Sequence, residues 1–459
     1  MDCTKFWQHI SSKKIAICGI GISNTPLILD FVEKGARVIA CDRRSRQLIG
    51  PLADELEAKG VELRLGERYL DDLEVDIIFR TPGMNFNLPE LEQARRRGIA
   101  VTSEMEVFFD LCPATIFAVT GSDGKTTTTT LIAKMLEKEG KKVHIGGNIG
   151  KPLLPRINEI LADDFVVAEL SSFQLISMRK SPNVAVVTNV APNHLDIHKD
   201  MDEYVEAKKN ILMHQNAFSR TVLNRDNEIT SEFSRFVRGQ MLQFSMERPI
   251  KNGAWLDTDG TLHMSYRGID APVLHRKDIS IIGDHNVENY LAAISAVWGY
   301  VSVENIRKVA KEFMGVEHRN EFVREVDGVR YYNDSIASSP SRTIAGLRSF
   351  DQKVMLIAGG YDKHIPFEPL APYIIEKVKF MTLSGPTADA IQKAVISHPE
   401  YNGVPEIVKV KDIKEAVSII HKKAQKGDIV TLSPACASFD AFPNFEARGK
   451  YFKELVNEL

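Results

Sequence analysis

Residues 118–130, AVTGSDGKTTTTT, combine the residue types that hold phosphate groups. The apolar run at 115–119 predicts a buried strand, Gly121 and Gly124 break it, and residues 126–139 continue at helical spacing until Gly140. A glycine turn between strand and helix points backbone N–H groups and the positive helix end at one place, where an anion can sit. Lys125 adds a point charge there, and the Thr126 or Thr127 hydroxyl can coordinate Mg²⁺. The pattern G-x-x-x-x-G-K-S/T would put Gly at 119, where this chain has Val119. Gly-Lys-Thr-Thr behind a strand still predicts binding of ATP or GTP. An ordinary turn with a solvated Lys125 does not explain why Gly121, Gly124 and Lys125 fall at one strand-to-helix junction.

Other polar groups sit at the ends of apolar runs. Glu169 closes FVVAEL (165–170), where a carboxylate can reach Mg²⁺ or its water. NHLDIH (193–198) follows another apolar run, NVAVVTNV (183–190). Its His/Asp/His content is compatible with zinc, with Mg²⁺ work beside a nucleotide, or with a plain surface loop. Residues 19–24, GIGISN, resemble a dinucleotide fingerprint with Asn24 in place of the third Gly. Asp42 ends the next strand, where an acid can meet a ribose hydroxyl, so an NAD-type reading and a looser nucleoside-diphosphate reading both stand. A third turn, Gly359-Gly360-Tyr361-Asp362-Lys363, could bind a carboxylate or be a tight turn with an exposed Lys. Residues 433–448, SPACASFDAFPNFEAR, mix hydroxyls, aromatics and charges too densely for a connector and predict a ligand loop. Cys436 lies there without an adjacent base, so it is not read as a nucleophile.

The elements that must position these groups alternate strand and helix. KIAICGIGISNTPLILDFVEKGARVIACD (14–42) reads strand, turn, helix, strand, and β-like runs follow at 75–79 and 99–102. A second set starts at Thr115, passes through a mixed region at 217–282, and closes with an Ala-rich helix at 286–297. A third starts near Phe322, with VRYYND, KVMLIAGG, FMTLSG and DIVTLSPA as strands. Alternation of this kind predicts an α/β fold with doubly wound parallel sheets. The 459 residues suggest about three domains, and the 58 basic and 61 acidic residues leave no global bias toward nucleic acid or anionic membrane. No apolar run approaches the roughly 18 residues of a membrane span. The N-terminal stretch lacks the apolar core of a secretory signal, and the five cysteines are odd in number and far apart. A reducing cytoplasm without disulfides is therefore expected.

Taken together, TGSDGKTT (120–127), GGNIG (146–150), ELSSFQL (169–175), NHLD (193–196), YVEAKKNIL (204–212), GDHNVEN (283–289), EHR (317–319), YNDS (332–335) and LSPACASFDAFPNFEARG (432–449) resemble the Mur ligase family of ATP-dependent amide-forming enzymes of peptidoglycan synthesis. The nucleotide motifs are shared with other Mur ligases and with folylpolyglutamate synthetases; the final loop and the short first domain point to the D-glutamate-adding members. The resemblance implies three domains: a Rossmann-like UDP-sugar domain at 1–104, a central P-loop ATPase-like domain with a parallel sheet at 105–316, and a Rossmann-like amino-acid domain at 317–459. It implies that Ser23, Asp42, Arg43, Thr81, Gly83, Asn148 and Ser171 hold the UDP-sugar, which displaces the NAD reading. Gly121, Ser122, Asp123, Gly124, Lys125, Thr126 and Thr127 would bind ATP phosphates, and Asn286, Asn289, Arg319 and Asp334 the rest of the nucleotide. Thr126, Glu169, His194 and a carbamylated Lys208 would hold two Mg²⁺ ions, with Lys125, His194 and Lys208 serving the chemistry. Ser338, Lys363, Ser438, Phe439 and Phe445 would hold D-glutamate, with UDP-N-acetylmuramoyl-L-alanine as the other substrate and a monomer expected. Two departures stand out: Asp123 where Asn is frequent, an anion unfavourably close to phosphate, and Ile336 where some members have Lys.

Overall fold

The computed structural model describes residues 3–21, 24–192 and 197–459. Three sheets follow one another along the chain. The first contains β1 (Lys14–Cys18), β2 (Arg37–Asp42), β3 (Glu62–Leu65), β4 (Ile77–Phe79) and β5 (Ala100–Thr102), in the order β3-β2-β1-β4-β5. Every pairing in it is parallel. The order reverses beside β1, and the crevice beyond the carboxyl ends of such strands is where α/β sheets take ligands. The turn at 19–21 and Asp42 both lie at that end.

The second sheet contains β6 (Thr115–Thr120), β7 (Val143–Gly147), β8 (Phe165–Glu169), β9 (Val184–Val187), β10 (Arg220–Asn224), β11 (Gln240–Ser245), β12 (Gly253–Leu256), β13 (Thr261–Tyr266) and β14 (Ile269–His275). Its order is β14-β13-β12-β11-β10-β9-β6-β8-β7, which sets β6 between the strands that end in Glu169 and Val187. Residues 116–120 of β6 and all of β9 are buried, as expected of parallel strands covered on both faces. The sheet is parallel-dominated, with β12–β13 and β13–β14 antiparallel in the region expected to be mixed. The mixed composition at 217–282 reflects this change, because a meander needs only short turns such as that at Gly260. Helix Lys125–Lys138 opens with five threonines, poor helix formers, yet Thr127, Thr128, Thr129, Leu131, Ile132, Met135 and Leu136 are buried. Tertiary packing, not propensity, holds it.

The third sheet contains β15 (Glu321–Val326), β16 (Val329–Asn333), β17 (Val354–Gly359), β18 (Val378–Ser384), β19 (Glu406–Lys409) and β20 (Ile429–Leu432), ordered β15-β16-β20-β17-β18-β19. It is parallel except for the β15–β16 hairpin. The chain divides into two compact units: Met1–Asp278 with Val287–Val309, and Ile279–Asn286 with Ala310–Leu459. The first unit carries the first two sheets over one continuous apolar core, in which Phe108 and Phe109 join residues of both. The second carries the third sheet, cored on its two faces by Leu356 and Leu383 on one side and Ile357 and Phe452 on the other. Among the described residues no helix is long and apolar enough to cross a membrane.

Candidate active site

β6 hands the chain to a four-residue turn whose backbone is held from the next strand's exit. Ser122 N donates to Asn189 O, Asp123 N donates to Asn189 Oδ1 at 2.9 Å, and Thr188 Oγ1 donates to Asp123 O at 2.6 Å. Gly121 has φ +154° and Gly124 φ +75°; a Cβ on the first would lie 1.9 Å from Thr188 Oγ1, and on the second 2.3 Å from Asn289 Oδ1. Only glycine fits either position. The Asp123 side chain is exposed while both its backbone groups are bonded, so its carboxylate does not point into the turn's backbone contacts. That accounts for how an acidic residue is accommodated here. Val119 is the partner of Glu169 and of Val186 in the sheet, so the strand runs one residue beyond the point where the usual pattern starts its loop.

Lys125 Nζ donates to Gly121 O at 2.9 Å and to Ser122 O at 2.8 Å. Lys208, on helix Met201–Met213, is 2% exposed and donates to the same Gly121 O at 2.6 Å, with its ammonium 4.6 Å from the Tyr204 ring centre. Burial and the neighbouring Lys125 charge pull the Lys208 amine down to about 7, against the opposing fields of Asp123 and Glu169. Thr126 Oγ1 donates to Glu169 Oε2 at 2.7 Å, and Asn148 Nδ2 donates to Glu169 Oε1 at 2.7 Å. Asn148, read as a sugar contact, is thus brought to the carboxylate. Thr128 Oγ1 donates to Asn289 Oδ1 at 3.2 Å, which places Asn289 beside the turn. Ser171 caps helix Ser172–Leu175 in a reciprocal arrangement with Gln174. His194 and Ser23 lie outside the described residues. His198, the second histidine of the NHLDIH run, has its ring nitrogens engaged by Glu203 at 3.0 Å and Ser172 at 2.8 Å. Among the described residues no three His, Cys, Asp or Glu side chains gather into a metal cluster.

At the first sheet, Asp42 Oδ2 accepts from Ile20 N at 2.7 Å, and its two oxygens accept from Arg44. Burial opposes ionisation of Asp42, but the bonds from Arg44 and Ile20 outweigh it and hold the carboxyl below the usual range. Asn24 donates from Nδ2 to Cys18 O at 2.8 Å, the role its side chain plays in place of a third glycine. Thr81 packs against Gly19, and Arg43 and Gly83 are exposed at the same end.

In the second unit, Tyr361 N donates to Ala437 O at 3.1 Å, joining the turn that carries Lys363 to the loop that carries Ser438 and Phe439. Lys363 is exposed, Ser438 is buried, and the exposed Tyr361 and Phe439 rings meet edge to face. Phe445 begins the last helix and packs against His318. Ser338 N donates to Ile336 O at 2.8 Å, and Ile336 N to His318 O, so the segment after YNDS is held by backbone bonds that ask nothing of a lysine at 336. Asp334 is buried and accepts from Ser433 Oγ at 2.7 Å and Asn320 N at 3.2 Å. Burial pushes its carboxyl up to about 7. Asn286 donates to Ile282 O, and Arg319 is exposed. Arg448 escaped the sequence reading: buried, it donates to Ser335 O, Cys436 O and Ala437 O, tying the YNDS loop to the final loop. Tyr204 was also missed, though its four-residue spacing from Lys208 puts both on one helix face.

Three parallel-rich sheets and a glycine-lysine turn against a strand-end glutamate define a P-loop nucleotide-binding α/β protein. The chain belongs to the Mur ligase family: residues 13–103 match the MurD-like N-terminal domain, 119–297 the Mur ligase middle domain and 318–436 the glutamate ligase domain. It is 53% identical over 458 residues to the UDP-N-acetylmuramoylalanine–D-glutamate ligase of Acetivibrio thermocellus, covering 99% of this chain and 98% of that one. It is 51% identical over 460 residues to the protein of that name from Clostridium botulinum, covering 99% of both. A UDP-N-acetylmuramate-alanine ligase structure from Thermotoga maritima has the same fold, with a TM-score of 0.58 at 18% identity over 97% of this chain and 100% of that one. The family uses ATP and Mg²⁺.

Two outcomes follow from this geometry. Gly124→Ala forces the turn off Asn289 and should lower ATP affinity by about tenfold or more, read by calorimetric titration. For Asp334, the folded carboxyl ionises near 7 and the unfolded one near its ordinary 3.8, so the folded state holds the extra proton between them. Stability contributed by this group therefore falls as pH rises through that window. Asp334→Asn should raise the melting temperature by a few degrees at pH 8 and by less at pH 5, in thermal unfolding scans.

Proposed function

We propose that this chain ligates D-glutamate to UDP-N-acetylmuramoyl-L-alanine with ATP, through an acyl phosphate, releasing ADP and phosphate in peptidoglycan synthesis. The observation that carries the reading is the convergence of Lys125, Thr126, Glu169 and Lys208 on one turn, in a chain half identical over its whole length to ligases named for that reaction. The domains at 1–104, 105–316 and 317–459 take the UDP-sugar, ATP and D-glutamate, and the protein acts as a cytoplasmic monomer.

A carboxylate does not acylate an amine at neutral pH because its leaving group is poor. Transfer of the γ-phosphoryl group to the alanyl carboxylate makes phosphate the leaving group; the D-glutamate nitrogen then attacks the carbonyl carbon, the C–O bond to phosphate breaks, and the amine loses a proton. Lys125 and the helix N-terminus place positive charge where the phosphate oxygens sit. The paired oxygens of Thr126 and Glu169 suit a hard cation. Together with His194 and Lys208 they would hold two Mg²⁺ ions, which supply charge neutralisation for the transferring group. An amine at about 7 supports carbamylation of Lys208: its neutral form attacks CO₂, an N–C bond forms, a proton leaves, and an anionic oxygen ligand replaces a cation that would repel metal. Asp42, Arg43, Thr81 and Gly83 face the UDP-sugar. Lys363, Ser438, Phe439, Phe445 and Ser338 face D-glutamate.

ADP release, measured with UDP-N-acetylmuramoyl-L-alanine and each amino acid in turn, should occur with D-glutamate alone. Release without any acceptor would point instead to a nucleotide switch. Lys208→Ala should lose about a hundredfold or more in kcat, with partial recovery in millimolar acetate or formate; unchanged activity would sink the carbamate role.

A further inference from the structure

Arg80 is 1% exposed and immediately precedes Thr81 at the carboxyl end of β4. Its main chain stays in the first sheet, where Arg80 N donates to Thr102 O. Its side chain leaves the strand: Nη1 donates to Met84 O at 3.5 Å in the loop that follows, and the guanidinium lies 5.5 Å from the Phe86 ring centre. Nη2 donates to Phe173 O at 3.0 Å and to Ser177 Oγ at 2.6 Å, both in the segment that departs from Glu169. Ser177 Oγ donates onward to Glu106 Oε2 at 2.8 Å, an acceptor shared with Ser103 at 2.8 Å. The contact continues toward the phosphate turn. The Phe173 ring stacks on His198 at 4.9 Å and 6°, His198 meets Tyr204 edge to face at 5.4 Å, and Tyr204 OH lies 2.9 Å from Ser122 Oγ.

Burying a guanidinium is costly, and here Nε has no hydrogen-bond partner. An apolar side chain would fill the same place in the shared core at lower cost. What an arginine adds is a directed pair of bonds that sets the register of one backbone against another.

We propose that Arg80 is a positioning residue for ligation: it locks the 81–83 loop onto the segment after Glu169, so that a carboxylate delivered by the first sheet meets the phosphoryl group at the 121–127 turn. This rests on the ligase reading above. Misalignment at this joint should cost turnover and leave each substrate's own binding intact, because the effect acts on the relative placement of two reactants.

The test compares Arg80→Met, Arg80→Lys and Ser177→Ala in the full chain, by ADP release and by calorimetric Kd for UDP-N-acetylmuramoyl-L-alanine and for ATP. For Arg80→Met, kcat should fall about tenfold or more while both Kd values stay within about threefold. Arg80→Lys, which keeps one donor for the Phe173 carbonyl, should fall between it and the parent. Ser177→Ala, the milder change, decides the matter if Arg80→Met does not fold, with a loss of about threefold in kcat and unchanged Kd values. Parental kcat in Arg80→Met, or in Ser177→Ala where that variant decides, overturns the proposal. So does a kcat loss matched by weakened UDP-sugar binding, which would make Arg80 part of the first site's fold. A parent protein without D-glutamate-dependent ADP release overturns the ligase reading and this inference together; an active parent with an unimpaired Arg80→Met overturns this inference alone.

Discussion

Two lysine ammonium groups end on one carbonyl oxygen, that of Gly121, and much of the first unit is arranged to make that possible. Like charges at such range repel, and the repulsion is tolerable only because the oxygen between them accepts both. The carbonyl is presented by a backbone conformation closed to any residue with a Cβ, and Thr188 and Asn189 fill the space that side chain would need. Lys208 loses affinity for its proton because it is buried and because the Lys125 charge lies beside it; Lys125 is less enclosed. One oxygen thus holds two chemically identical side chains in different surroundings, Lys208 fully buried and Lys125 only partly so.

Beside each of the three sheets, a buried charged side chain ties one loop to another segment. Asp42 draws the 19–21 turn and Arg44 together, Arg80 crosses to the second sheet, and Arg448 gathers the two loops of the third. Asp42, Arg80 and Arg448 are all buried, away from the solvent that screens surface charges, although Arg44 itself is exposed. Each bonds backbone carbonyls or amides, so what it controls is the path of a loop and not the affinity of a surface patch.

Much of this was legible in the sequence wherever the signal was local. The phosphate turn could be read because glycine, lysine and threonine requirements fall within eight residues, and β6, β8 and β9 because buried parallel strands are continuously apolar. The antiparallel turn of the central sheet was not legible, since β12 and β14 carry Gly253, Asp270 and Pro272 and alternate too weakly to announce a strand. Arg80 and Arg448 were invisible for a different reason. Their partners lie 93 and 113 positions away, or are backbone carbonyls with no residue identity to find. Asp123 looked anomalous only because a one-letter code does not say that its backbone is used and its side chain faces water. For His198 the residue type left three readings open, and the structure shows its ring stacked on Phe173 and bonded to Glu203 and Ser172.

Cys18 and Cys41 stand in register on adjacent strands directly beneath the 19–21 turn, and both are wholly buried. Neither thiol can meet a reagent in water until β1 and β2 part. Cys3 and Cys112 are half-buried, and Cys436 lies in the other unit. With Cys436, buried in the other unit, replaced by Ser, the slow pair in a thiol-labelling time course measures how often the first sheet opens.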